Sequence, residues 1–471
     1  MKIGSGIIWS SIERFGYSGI VFILTIILAR ILKPTDFGLI GTLSLFIGIS
    51  QILIDSGLGG ALIRKKDIKE TDFNTVFTIN LSISVILYIL LFFLAPYISD
   101  FYQNPELSLV LRVLSLSLLF NAISLIGKVR LLRNLEYKKI ALISIISVIS
   151  SGLLSIVAAM YDLGYWALVI QTTCYYFFLS ILLYFFTPIQ LKFGYSKASF
   201  KSLFGFGGSL LISSLMQVLV YEGLTSVISK KYSLSITGYY YQAKKLIDFP
   251  VSICRSIADA AIFPILSRID EKDELVDQAF YFLSIIIILT FPLFTIIFFC
   301  SETIISVILG NQWMESAVYL RILCIGAFFL VVEGVNRNFI KSIGKSSVIL
   351  RAEIYKKLLD ILLIAVTFTY GLNMLLYALV LSNFIASLIN MVFFSLLLKT
   401  SFFNQIFYMI KFLFVNLCCG FLSFYIISNY TSLQNILQSF YFLVLFIGQY
   451  FFVIKFVFPT DYKNILTLIQ R

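Results

Sequence analysis

The 471-residue sequence predicts an all-α polytopic membrane protein. About 14 transmembrane helices are expected, as two parallel-repeat six-helix lobes around a central cleft plus two C-terminal helices. Three observations carry that expectation. The chain is 59% hydrophobic and only 13% charged, so no water-soluble fold of this length could cover its apolar surface. Apolar runs of about 20 residues, the length a helix needs to cross a bilayer core, recur from end to end. The first half of the chain also returns in the second at an offset near 200 residues.

In chain order the spans are expected at 7–29, 38–62, 73–97, 107–127, 140–160, 163–187, 204–228, 238–265, 277–300, 317–340, 348–370, 372–398, 407–428 and 436–458. The first carries Glu13 and Arg14, has little basic flank and no A-x-A site, and so reads as a retained span, not a cleaved signal. The eighth is the most polar, and only Gly371 separates the eleventh from the twelfth. The domains expected are an N-lobe over 1–187, a cytoplasmic linker over 188–203, a C-lobe over 204–398 and a C-terminal pair over 399–471. The linker, with Lys192, Phe193, Tyr195, Lys197, Phe200 and Lys201, reads as amphipathic and interfacial.

Orientation follows from Lys and Arg, which gather on the cytoplasmic side. With the N-terminus inside, 25 of the 36 basic residues fall in inside segments and only Arg30, Lys33, Lys230 and Lys231 in outside ones. Both termini are therefore expected in the cytoplasm. The net charge of +12 is then a mark of topology and not of nucleic-acid binding.

The repeat aligns Arg30 with Lys230, Gly38 with Gly238, Ser56 with Ser256 and Ala61 with Ala261; at 209 residues, Leu111–Leu114 meets Leu320–Leu323. Six spans per copy is an even number, so the copies share one orientation. With no His anywhere, the sequence excludes Ser-His-Asp and Cys-His nucleophiles and the H-E-x-x-H zinc helix. The six cysteines sit in apolar runs without metal spacing. No cofactor or metal is expected, and the chain reads as a transporter, not an enzyme. No selectivity-filter-like segment suggests a channel.

Ionisable residues inside spans cost at least about 2.5–3.5 kcal/mol at a helix centre, so each one points to a function or a partner. In span 8, Lys244, Asp248, Arg255 and Asp259 follow at steps of 4, 7 and 4, one helical face of alternating sign. This stripe either lines the cleft toward an anionic, sugar-bearing ligand or is a self-paired ladder. Arg14 and Arg337 are further substrate-binding candidates, Arg337 because guanidinium grips phosphate oxygens in pairs. Glu13, Asp55, Glu222, Glu333 and Asp360 are candidates for gating or ion coupling, since without His such carboxylates must do that work. Asp55 and Arg255 correspond under the repeat, and are expected either to meet across the cleft or to pair within their own lobes. Arg112 and Arg321, in the repeated Leu-Arg-x-Leu, read as packing anchors. Tyr239-Tyr240-Tyr241 reads as an aromatic belt.

Several stretches resemble the polysaccharide-exporter (Wzx-type flippase) family of the multidrug/oligosaccharidyl-lipid/polysaccharide exporter superfamily. They are Ala29-Arg30-Ile31-Leu32-Lys33-Pro34-Thr35-Asp36-Phe37-Gly38, Asp55-Ser56-Gly57-Leu58-Gly59-Gly60-Ala61-Leu62-Ile63, Phe73-Asn74-Thr75-Val76-Phe77 and Asn104-Pro105-Glu106-Leu107. Gly238-Tyr239-Tyr240-Tyr241-Gln242-Ala243 and Gly310-Asn311-Gln312-Trp313 complete the pattern. The resemblance implies a flippase moving a polyprenyl-pyrophosphate-linked oligosaccharide between leaflets, with spans 1, 2, 7 and 8 lining a positive, polar cleft. It also implies the bilayer, and a polysaccharide polymerase complex, as partners. Two readings stay open beside it: a drug or cation exporter of the same fold, which would have a more acidic cleft, and a membrane polymerase of lipid-linked sugars.

Overall fold

A computed structural model describes residues 9, 12–55, 57–187, 192–258, 262–269, 271–430, 435–459 and 461–463. Among them the only regular secondary structure is helical. The chain divides into two compact units, Met1–Tyr241 and Gln242–Arg471. Twelve described helices or helix pairs are long and apolar enough to cross a membrane. Two more have the length without the composition, Leu234–Ile257 and Ser346–Thr367. They lie at the places of the eighth and eleventh expected spans.

The first unit opens with a π turn, Ile12–Gly16, that runs into α1 (Tyr17–Ile31). Next come α2 (Pro34–Asp55), α3 (Leu58–Arg64), α4 (Glu70–Tyr102), α5 (Glu106–Arg133), α6 (Tyr137–Met160) and α7 (Trp166–Phe186). It ends with α8 (Lys197–Tyr221), α9 (Gly223–Lys231) and the head of α10 (Leu234–Ile257). In lipid there is little hydrophobic force between helices, so close approach through small residues does the work. Ser144, Ser147, Ser151, Gly152 and Ser155 form such a buried stripe on α6, and Leu24 of α1 lies where a side chain at Gly152 would go. The hydroxyls of Ser147, Ser151 and Ser155 bond back to carbonyls of their own helix, as Ser147 does to Ile143 at 2.8 Å.

Gly38 of α2 and Gly238 of α10, partners in the sequence repeat, meet where the two helices cross. A Cβ on Gly38 would overlap the carbonyl of Leu234, and a Cβ on Gly238 would overlap that of Pro34. Each glycine therefore faces the carbonyl four residues ahead of the other. Beside the crossing, the hydroxyls of Thr42 and Ser229 lie 2.6 Å apart, and Ser226 donates to the Thr42 carbonyl at 3.2 Å.

Of the expected linker, residues 188–191 lie outside the described residues, 192–196 carry no regular secondary structure, and α8 begins at Lys197. Threonines of α4 hold the strap: Gly194 exchanges hydrogen bonds with Thr78 at 3.0 and 3.1 Å, and the Ser196 N–H donates to Thr75 at 3.1 Å. The Ser196 hydroxyl then caps α8 by accepting from the Ser199 N–H.

The second unit holds the rest of α10, the short α11 (Phe263–Leu266), α12 (Lys272–Phe299) and α13 (Ser301–Ile308). Then follow α14 (Ser316–Ser342), α15 (Ser346–Thr367), α16 (Leu372–Leu398), α17 (Phe402–Tyr430) and α18 (Asn435–Val457). Gly371, at φ +99, is the turn that parts α15 from α16. Lys272, Asp273 and Glu274 form the first turn of α12. Asp273 and Glu274 suit that helix N-terminus electrostatically. Phe299 of α12 meets Phe421 of α17 and Phe442 of α18, with Phe446 stacked on Phe442, in an aromatic cluster.

The two Leu-Arg-x-Leu copies act alike. Arg112 donates from Nε to the Phe92 carbonyl, and Arg321 from Nε to the Ser301 hydroxyl, each at 3.2 Å and each 20 residues back along the chain. The matched reach is what an anchor repeated at 209 residues produces.

Candidate functional site

Two of the expected spans are interrupted among the described residues, each at a carboxylate: Asp55 ends α2, and Glu222 stands between α8 and α9. Glu13 sits in the π turn that continues into α1. Asp259 lies outside the described residues.

The first unit contains a cavity of about 600 Å³. One face of α2 lines it, through Ile40, Ser44, Gly48, Gln51 and Asp55 among others, at helical steps of three and four. Ser214, Val218 and Glu222 of α8 form the opposite wall, with Thr172 of α7 and Tyr241 at its margins. Ser44 donates to Glu222 at 2.8 Å across that space. Asp55 is turned toward the Gly59 N–H, so its carboxylate caps α3 where the chain passes Gly57 at φ +64. Among the described lining residues there is no Lys or Arg. The positive cleft expected from the sequence is therefore not what this cavity offers: its charged groups are Asp55 and Glu222, with hydroxyls and one amide between them.

The basic candidates cluster in the second unit. Glu333 of α14 is buried, 3.8 Å from Arg255 of α10, and accepts from Asn390 of α16 at 3.2 Å. The Arg255 stem passes beside Gly334. Arg337 pairs with Glu353 at 3.3 Å, and buried Asp360 accepts from Ser382 while lying 3.6 Å from Lys357. A small polar gap lined by Glu333, Arg337, Glu353, Lys356 and Asn390 lies at the middle of this network. Elsewhere, Glu13 lies 3.7 Å from Lys128, Arg14 is exposed, Lys244 is buried and Asp248 half-buried on α10.

The sequence reading singled out charges and passed over the neutral polar groups. Ser44, Gln51 and Thr172 line the cavity, and Gln51 donates to Tyr176 at 3.1 Å. A signal existed in the steps of α2, where Ser44, Gly48, Gln51 and Asp55 share one face of an otherwise apolar helix.

A family model described as a polysaccharide biosynthesis protein matches residues 27–318. The lipopolysaccharide biosynthesis protein WzxC of Escherichia coli (strain K12) is 24% identical over 337 residues, 69% of this chain and 66% of that protein. The teichuronic acid biosynthesis protein TuaB of Bacillus subtilis (strain 168) is 25% identical over 351 residues, 73% of this chain and 72% of that protein. Among solved structures, the lipid II flippase MurJ in its inward closed conformation shares the fold with a TM-score of 0.76 at 14% identity, over 95% of this chain and 99% of that one. An inward-facing multidrug resistance MATE family transporter follows with a TM-score of 0.61 at 16% identity, over 84% of this chain and 98% of that one.

Proposed function

Because the chain belongs to the polysaccharide biosynthesis protein family, we propose that it is a flippase that carries a polyprenyl-pyrophosphate-linked oligosaccharide from the inner to the outer leaflet of a bacterial inner membrane. The observation that carries this reading is the roughly 600 Å³ cavity, with Ser44, Gln51, Asp55, Thr172 and Glu222 in its lining, walled by interrupted helices in a chain otherwise built of apolar spans. A sugar-bearing headgroup cannot cross hydrocarbon unaided, and such a cavity gives its sugar hydroxyls polar partners on the way. The polyprenyl tail stays in lipid. Alternating access would occur between two lobes over 1–187 and 204–398, with both termini in the cytoplasm and a polymerase receiving the flipped unit.

The test is a deletion strain, with lipid-linked and surface glycans read by mass spectrometry. Completed repeat units trapped on the lipid carrier, with none at the surface, are the expected result. Single unpolymerised units at the surface would make the protein a polymerase. The carboxylates Asp55 and Glu222 favour one second reading, a cation exporter, since an acidic cavity also suits an organic cation. An unchanged glycan profile together with raised retention of a cationic dye would select it.

A further inference from the structure

α4 and α12 each carry a proline inside the helix, Pro96 and Pro292. An offset of 196 residues brings one onto the other. Both stand near the end of the third span of their repeat, shortly before Tyr102 closes α4 and Phe299 closes α12. A proline has no N–H, so the carbonyl four residues before it loses its helical partner. For Pro96 that carbonyl belongs to Phe92, and for Pro292 to Ile288. In a membrane helix such a carbonyl needs a donor from a neighbouring side chain.

In the first unit the donor is Arg112 of α5. Its Nε reaches the Phe92 carbonyl at 3.2 Å, and its guanidinium lies 4.3 Å from the Phe92 ring centre. The corresponding arginine of the second unit, Arg321, is turned to Ser301 and Glu302 instead. Its place is taken by Tyr450 of α18, whose buried hydroxyl donates to the Ile288 carbonyl at 3.0 Å. Phe442, Phe446 and Tyr450 follow at steps of four and stack ring on ring, which fixes where that hydroxyl points. α17 comes close to the same stretch of α12: a Cβ on Gly420 would fall 2.5 Å from the Phe299 ring and 3.0 Å from Thr295.

We propose that Tyr450 is the pin of a proline joint in α12, and that the C-terminal pair α17–α18, which follows the two repeats, sets the bend of that span. In the first unit an arginine of the repeat itself fills this role; in the second an added helix does. A joint of this kind bends more easily than regular helix, because one rung of its ladder is a side chain that can leave and return. The added pair is thereby a working part of the second unit and not a passenger on its surface. This holds whatever the cavity of the first unit carries.

The test is a thermal-melting cycle on the purified full-length chain: wild type, Tyr450→Phe, Pro292→Ala and the double variant. Tyr450→Phe keeps the ring and strips the donor. It is expected to lower the transition by about 2–6 °C, the effect of leaving a buried carbonyl unpaired. Pro292→Ala gives Ile288 its helical N–H back, so in that background Tyr450→Phe should shift the transition by less than half as much. No fall in the wild-type background, or a fall of half or more in the Pro292→Ala background, would overturn the joint. Should Pro292→Ala fail to fold, hydrogen exchange of Tyr450→Phe decides in its stead. Amides within one turn of Pro292 are expected to exchange at least about threefold faster than in wild type, with residues 275–283 of the same helix unchanged. A smaller change around Pro292, or an equal rise along the whole helix, would overturn the joint as well.

Discussion

Glu333 shows how much a single residue can hold in a low-dielectric interior. It is buried against Arg255 and Asn390, and Arg337 lies one turn along the same helix. Removing Glu333 leaves the Arg255 guanidinium, 32% exposed, without its carboxylate, so the cost falls below the about 3–5 kcal/mol of a fully buried pair. Glu333→Ala should therefore lower the thermal transition of the detergent-solubilised protein, and Glu333→Gln less, because the amide still meets Asn390. Equal transitions for wild type and Glu333→Ala would show that the pair does not hold the unit together. The sequence made Glu333, Arg337 and Asp360 visible because charge in an apolar run is conspicuous. It could not tell that Arg255 finds Glu333, 78 positions along the chain, since pairing depends on how α10 and α14 pack. The carboxylate of Asp55 likewise turns out to serve its own chain, as a cap on α3.

At the scale of helices, periodicity and span length located the elements well because a membrane helix leaves a long, unmistakable run. The two charged helices, α10 and α15, kept their places despite failing a composition test. What stayed hidden was the local break: the end of α8 at Glu222 and the strap at 192–196 depend on partners elsewhere, such as Ser44, Thr75 and Thr78. The crossing of α2 and α10 allows a direct test. Gly38→Ala or Gly238→Ala places a methyl against a backbone carbonyl that cannot rotate away, so each should destabilise by about 1–3 kcal/mol through overpacking. Gly19→Ala, where a Cβ meets nothing within 4 Å, is the control and should be silent in the same melting experiment.

For the whole molecule, the distribution of Lys and Arg predicts which loops face which side. In a background without the six native cysteines, Gln103→Cys should react in intact cells with a membrane-impermeant thiol reagent, and Asn134→Cys should not. The opposite labelling would invert the topology. The fold was legible because composition, span count and repeat agree. The cavity was not, because its walls are mostly neutral. The meeting of Gly38 with Gly238 reaches beyond mechanics into history. Two copies of a duplicated segment drift apart freely wherever each touches something different. A position that touches its own duplicate has no such freedom: any side chain gained in one copy collides with the backbone of the other. Such a contact is where the memory of the ancestral single copy should persist longest, after the rest of the two halves has become hard to align.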